Sequence, residues 1–511
     1  MARSLFVIMH QPITPIGRII MKHLNLDTHS ARPAEASVSS QKVHRSQAHA
    51  QGSRLGRRLG HRPYRRLILG LFTFSLMSAC GQGDDMGEST SVFYGEGSAS
   101  AGESLGESLD TAEMGSMGED PSSPPLDEGP DGALGSAHTL TAGMWDDNVY
   151  PEHYQSFAEE SRDERLSDLP VHTQIIKIIN QEGAPVRGAE VTISSGDETT
   201  TLKSIDDGRV LFAPELDGGE GTIEITARLG DDQVNGAFEL SATEHKPWVL
   251  TLADAASGAA ETLEIALVID ATGSMGDEIE FLKAEFAALI ERVQLDHPNL
   301  NIRLALTHYR DETDDYVTRS SDFTSDLAQF NAALQEVTAD GGGDFPEAMG
   351  EAMEEVMTLE WSAEENATRL IFIVADAPPQ SGRDARVDQA AITARALGAR
   401  IFPVASSGVD IGAEWVMRQA AAFTLGQYIF LTDDSGVGNS HAEPHIPCYQ
   451  VRLLQNQLLR VIKSGVSGER VEGEADEVIR SVGFDEAGEC IGVTPHKPSD
   501  EQLMSDEPRA E

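Results

Sequence analysis

The sequence predicts an α/β protein: a doubly wound, mostly parallel sheet over residues 262–465, preceded by a small all-β sandwich over residues 169–253. Three observations carry that reading. Five apolar runs are separated by amphipathic stretches. Before them come short alternating segments broken by Gly, Asp and Pro. Carboxylates stand where the apolar runs stop.

The apolar runs are Leu263–Ile269, Ile302–Thr307, Leu370–Ala375, Arg400–Ala405 and Tyr428–Leu431. Helical periodicity fills the intervals at Glu278–Val293, Pro346–Leu359, Ala385–Leu397 and Ala413–Phe423. Strands that are apolar on both sides need cover on both faces, and interleaved helices supply it. Met349, Met353 and Met357 recur at helical spacing and read as a core stripe. In such sheets ligands bind outside the carboxyl ends of the strands.

The preceding segment reads differently. Thr173–Ile179, Glu190–Ser194, Val210–Ala213, Thr222–Arg228 and Gly236–Leu240 alternate in polarity between turn residues, the signature of a small antiparallel sandwich. The run from Asn180 to Val191, followed by Asp206-Asp-Gly-Arg-Val210, resembles the transthyretin-like or carboxypeptidase-regulatory-like domains of many surface proteins. Nothing catalytic is visible in it, and it reads as a spacer.

The chemistry gathers at the predicted strand ends. The first strand closes with Val268-Ile-Asp-Ala-Thr-Gly-Ser-Met275, in which Asp270, Thr272 and Ser274 alternate through a tight loop. The loop Ala339-Asp-Gly-Gly-Gly-Asp-Phe-Pro-Glu347 offers Asp344, and the strand Leu370–Ala375 ends at Asp376. Converging carboxylates repel unless a cation joins them. Oxygen-only donors that include hydroxyls suit a hard cation: Mg²⁺ first, with Ca²⁺ and Mn²⁺ as alternatives.

This constellation resembles the von Willebrand factor A domain and its metal-ion-dependent adhesion site, whose first motif is Asp-x-Ser-x-Ser. Asp270-Ala-Thr-Gly-Ser274 matches with Thr in the middle, and Asp376 sits where the family's distal aspartate ends a strand. The resemblance spans about two hundred residues. It implies metal ligands Asp270, Thr272, Ser274, Asp344 and Asp376, a doubly wound Rossmann-like fold, and partner binding without catalysis. Asp344 stands where the family normally has Thr. A third carboxylate should hold the cation more tightly and leave it a weaker acceptor for a partner's carboxylate. Asp270-Ala-Thr-Gly-Ser is also similar to the Asp-Lys-Thr-Gly-Thr of phosphoryl-transferring pumps, with Asp270 as nucleophile, but Lys is absent at 271. A metal that only stabilises the fold is a third reading.

The remaining chain concerns location. Residues 1–79 read as a leader and signal peptide: five arginines from Arg57 to Arg66 precede an apolar run, Leu67 to Ala79, of about thirteen residues, too short to span a bilayer. Leu-Met-Ser-Ala-Cys80 resembles the lipobox of bacterial lipoproteins, which implies diacylation of Cys80 and a membrane anchor. Gly81 after the cysteine favours the outer membrane over the inner. Residues 80–165 read as an acidic Gly/Ser-rich disordered tether, with no Lys or Arg from Gly81 to Tyr150. The net charge is −46, and about twelve basic against two acidic residues precede Cys80, so the body is more acidic still. Such a surface excludes nucleic acid, whose phosphates require Lys and Arg.

Three cysteines are too few for a disulfide scaffold. With Cys80 in the leader, Cys448 and Cys490 remain as an available pair, whose bonding depends on distance. His441, Glu443 and His445 alternate in a Pro-containing stretch near Cys448. They are candidates for a transition-metal site, though a solvated loop is the simpler reading. Arg303, His308, Arg310 and the run Asp311–Asp315 read as a charged rim. The acidic tail, 466–511, reads as mostly unstructured. Together these readings describe a lipid-anchored envelope protein that binds a protein partner through a metal-dependent domain.

Overall fold

Strands with no wet face can only be interior, and in the computed structural model they build the centre of one large sheet. The structure describes residues 140–161, 166–241, 246–256, 258–343, 345–435 and 441–495. The leader, Cys80, most of the proposed tether, Asp344 and residues 496–511 lie outside them.

In chain order, β1 (Thr141–Trp145) and α1 (Pro151–Glu160) come first. A small unit follows, with β2 (Gln174–Asn180), β3 (Glu190–Ser195), β4 (Glu198–Lys203), β5 (Arg209–Phe212), the short α2 (Pro214–Asp217), β6 (Thr222–Leu229), β7 (Asp232–Glu239) and β8 (Trp248–Leu252). The large unit continues with β9 (Thr262–Asp270), α3 (Gly276–Asp296), β10 (Asn301–Tyr309), β11 (Thr318–Thr324), α4 (Leu327–Gln335), α5 (Met349–Val356) and β12 (Ala367–Ala375). It ends with α6 (Asp384–Leu397), β13 (Ala399–Ala405), α7 (Ile411–Phe423), β14 (Tyr428–Thr432), β15 (Tyr449–Leu453), α8 (Leu454–Ser467) and β16 (Arg480–Val482).

The large sheet is nine-stranded, in the order β11-β10-β9-β12-β13-β14-β1-β15-β16. Its centre, β10-β9-β12-β13-β14, is parallel, and β11, β1, β15 and β16 pair antiparallel at the flanks. Every residue of β9 and β12 is buried. Met349 and Met353 of α5, Val387 of α6, and Trp415 of α7 share one apolar core with Phe157 of α1. Phe281 and Phe286 of α3, Phe330 of α4, and Leu458 and Ile462 of α8 fill the core on the other face.

Two boundaries and one strand pairing differ from the sequence expectation. Residues 140–160 are not tether: β1 is inserted between β14 and β15, and α1 packs Tyr154 and Phe157 inside. Gly143 permits this, since a Cβ there would lie 2.2 Å from the Phe430 ring. The large unit is therefore built from two stretches of chain, with the small unit between them. The tail is ordered through residue 495, because β16 pairs with β15 and a disulfide joins Cys448 to Cys490 (Cα–Cα 5.5 Å). In the small unit, the sheets β5-β2-β8 and β4-β3-β6-β7 share a core of Ile176, Ile178, Val191, Ile193, Phe212 and Ile225. There β2 pairs with β8 parallel, not antiparallel, because the whole second sheet lies between them in sequence.

The small unit is fastened to the amino ends of the central strands by buried arginines. Arg395 donates to both Asp217 oxygens (2.7 and 2.8 Å), Arg400 to Asp206 (2.7 Å), and Arg187 to the Gly465 and Val466 carbonyls (2.8 and 3.1 Å). Removing one partner of a buried pair strands the other charge, so Asp217→Ala should destabilise the protein by about 3–5 kcal/mol. Urea unfolding measures this; a loss below about 1 kcal/mol would show that Arg395 finds water instead.

Candidate metal centre

The site begins where β9 ends. Asp270 is fully buried and Thr272 nearly so. The Thr272 amide and hydroxyl both donate to Asp270 Oδ1 (3.0 and 2.7 Å), while Asp270 Oδ2 is buried without a hydrogen-bond partner. The loop is held on both sides: Ala271 N–H donates to the Tyr309 carbonyl of β10, and Asp340 N–H to the Ala271 carbonyl. Gly273 N–H reaches the Gly341 carbonyl, which ties this loop to the glycine loop.

That glycine loop needs its glycines. Gly341 has φ +79°, and a Cβ there would lie 2.5 Å from the Asp314 carboxyl, which accepts from Gly342 N–H at 2.8 Å. Asp376 follows β12 and is 6% exposed. An open crevice of about 460 Å³ is lined by Thr272, Ser274, Gly342, Glu347, Asp376 and Ser407, among others. Asp270 accepts a hydrogen bond from Thr272, one of the lining residues. The structure thus brings four of the five sequence-predicted ligands to one place; Asp344 lies outside the described residues.

Glu347 is the residue that sequence reasoning missed. It is 4% exposed, its Oε2 has no hydrogen-bond partner, and it lines the same crevice. Its backbone is fixed between the Pro378 carbonyl and Gln380 N–H. Local spacing gave no signal for it, because its burial depends on how the glycine loop folds.

Burial and mutual repulsion set the electrostatics. Burial first, then Asp376, push the Asp270 carboxyl up to about 7, against the pull of the Thr272 hydrogen bonds. Burial first, then Asp270, Asp311, Asp314 and Asp376, push Glu347 up to about 8. Asp376 is also raised by burial, and the Ser274 hydroxyl opposes this. Among the described residues, no group of three His, Cys, Asp or Glu side chains is close enough to hold a metal by itself. The donors here are two carboxylates with two hydroxyls, and the orphaned Asp270 Oδ2 is the atom a cation would satisfy. That chemistry fits a hard divalent ion. When bound, it would supply a coordination position open to an outside oxygen donor.

The other singled-out residues separate. His445 Nδ1 meets Glu414 (2.8 Å), Glu443 accepts from the Tyr449 hydroxyl (2.8 Å), His441 faces Asp433, and Cys448 is in the disulfide. They form no joint metal site, because each has a different partner. Arg303 pairs with Glu264, and Arg310 binds the Thr338 carbonyl and hydroxyl, so both are structural. His308 meets the Tyr316 hydroxyl at 2.8 Å, and burial holds its pKa down to about 4.

With that geometry in place, residues 264–398 match the family model of the von Willebrand factor A domain. Alpha-protein kinase vwkA of Dictyostelium discoideum is 32% identical over 122 residues, covering 24% of this chain and 19% of the relative. A putative ariadne-like RING finger protein of Acanthamoeba polyphaga mimivirus is 32% identical over 124 residues, covering 24% and 12%. The chain therefore spans about a fifth or less of these curated relatives. Proximal thread matrix protein 1 from the mussel byssus, solved with a zinc-occupied MIDAS motif, is 17% identical, covering 32% of this chain and 40% of that one (TM-score 0.26). A von Willebrand factor type A structure from Catenulispora acidiphila is 15% identical, covering 50% and 44% (TM-score 0.25). A von Willebrand factor A domain occupies this part of the chain.

Two predictions follow from the carboxylates. Their folded pKa values lie above the unfolded ones, so without metal the folded state binds more protons between about pH 4 and 8. Stability in chelator should therefore fall as pH rises through that window, and Mg²⁺ should restore it most at the alkaline end. Melting curves from pH 5 to 9 read both effects; parallel curves with and without Mg²⁺ refute the site. Above pH 8, Glu347→Gln should weaken cation affinity about tenfold, measured by calorimetry.

Proposed function

We propose that the chain is a lipid-anchored envelope protein that binds a protein partner through a cation held at the carboxyl ends of its central strands. The observation that supports this reading is the open crevice beside a buried, unpartnered carboxylate oxygen, a place where a cation would be held by the protein and exposed to solvent. The ligand set would be Asp270, Thr272, Ser274, Asp376 and Asp344, with Glu347 as a further negative charge. Mg²⁺ is the preferred ion. Adhesion, surface assembly or scaffolding of an envelope complex is the class of role. Residues 169–253 would act as a transthyretin-like spacer, and Cys80 as the acylated anchor in the outer membrane.

An acid-rich donor set has a consequence for binding. Each added carboxylate lowers the cation's remaining pull on an outside ligand, so the ion would be firmly held and its attraction for a partner's carboxylate modest. In keeping with that, Asp344→Thr should weaken cation affinity in calorimetry, and an unchanged or tighter affinity removes Asp344 from the ligand set.

The decisive comparison is co-purification from envelope extract with Mg²⁺, with chelator, and with Asp270→Ala. A partner retained only by the first supports metal-dependent binding; a partner set indifferent to all three leaves the cation a purely structural role. Mass spectrometry of the mature protein tests the anchor independently. The expected N-terminus is diacylated Cys80, and a mature product beginning upstream of it defeats that part.

A further inference from the structure

Beside the cation crevice lies a second constellation that metal-dependent binding does not use. Ser407, two residues past the end of β13, is 6% exposed and lines the crevice with Thr272, Ser274 and Asp376. Its Oγ is 3.2 Å from His441 Nε2, and His441 Nδ1 is 2.8 Å from Asp433 Oδ1, just after β14. The His441 side chain is 5% exposed, and its own backbone N–H also donates to Asp433 Oδ1 (2.9 Å). We propose that Ser407, His441 and Asp433 form a nucleophilic triad that cleaves neutral acyl esters at the rim of the crevice.

The proton positions follow from the partners. Asp433 is an ionised carboxylate, held below its usual range by the two hydrogen bonds from His441, and such a group only accepts. Nδ1 therefore carries the imidazole proton, and the Nε2 lone pair faces the Ser407 hydroxyl. Orienting the base through a carboxylate is the arrangement that lets a serine act as nucleophile. Ser407 also donates to Glu278 Oε1, through its amide (3.5 Å) and its hydroxyl (3.3 Å), so Glu278 holds the serine in place and shares its one hydroxyl proton with His441 Nε2.

In the reaction, the Ser407 Oγ–carbon bond forms as its proton moves to His441 Nε2. The ester C–O bond then breaks, and the alcohol leaves with that proton. Water repeats the sequence in reverse roles, releasing a carboxylic acid and restoring Ser407. The crevice selects the substrate class. Its carboxylates repel anions, while Phe345, 49% exposed on the rim, offers apolar surface to an acyl group.

The test treats the full chain with a fluorophosphonate probe and maps the adduct by mass spectrometry. Attack breaks the P–F bond and leaves the phosphonyl group on Oγ, so the expected result is a single adduct at Ser407. The rate at which the adduct forms is followed over time. In His441→Gln it should fall about a hundredfold, the usual contribution of a positioned general base. Ser407→Ala should abolish the adduct and the hydrolysis of p-nitrophenyl acetate while circular dichroism shows the protein still folded. If Ser407→Ala does not fold, the decision rests on His441→Gln. No adduct on Ser407 in the unmodified protein, or an adduct formed equally fast in His441→Gln, overturns the proposal.

Discussion

The arrangement of the large unit turns on one buried carboxylate. Asp270 closes a fully buried inner strand of the sheet, with both neighbours, β10 and β12, paired along its length. A charge in that position has lost its water, and one oxygen is compensated by Thr272 while the other is not. Burying a lone carboxylate costs several kcal/mol unless it is neutralised or paired. Two further acids, Asp376 and Glu347, compound the penalty by repulsion. The surrounding loops are therefore cross-tied by backbone hydrogen bonds, so the acids cannot relax away from each other. A site that stores repulsion in this way is stable only when protons or a cation occupy it.

The position of the small unit follows the same logic from the other side. Its anchoring arginines meet the body at Asn366, Gly465 and the first residues of β13, which are the amino ends of the parallel strands. The crevice is at the carboxyl ends. Parallel strands put these two edges a strand's length apart, so docking leaves the crevice open. Buried ion pairs such as Arg395 with Asp217 add little net stability compared with apolar contacts, but they tolerate only one geometry. They fix how the two units meet.

Legibility in the sequence tracked burial. β9, β12 and β13 are apolar on both faces, and no other reading of such short runs sits between helices. β11, with the sequence Thr-Arg-Ser-Ser-Asp-Phe-Thr, is mostly exposed at the sheet edge, so its pattern carries no core signal. β1 was hidden for a different reason: five residues after a long Gly, Ser and acid stretch gain their order only from β14 and β15, which follow nearly three hundred residues later. The donors Asp270, Thr272, Ser274 and Asp376 could be named because local spacing puts them at strand ends. Glu347 could not, since its role depends on which side of the glycine loop faces inward. The approach of Ser407 to His441 depends on neighbouring strands β13 and β14 and has no local signature at all.

Those two adjoining constellations constrain each other. The crevice acids make the rim negative, which disfavours an anionic partner unless a cation is present. A bound cation would neutralise that charge. Ser407 and Asp376 line the same crevice, so an acyl substrate at Ser407 and a partner over a cation would compete for one opening.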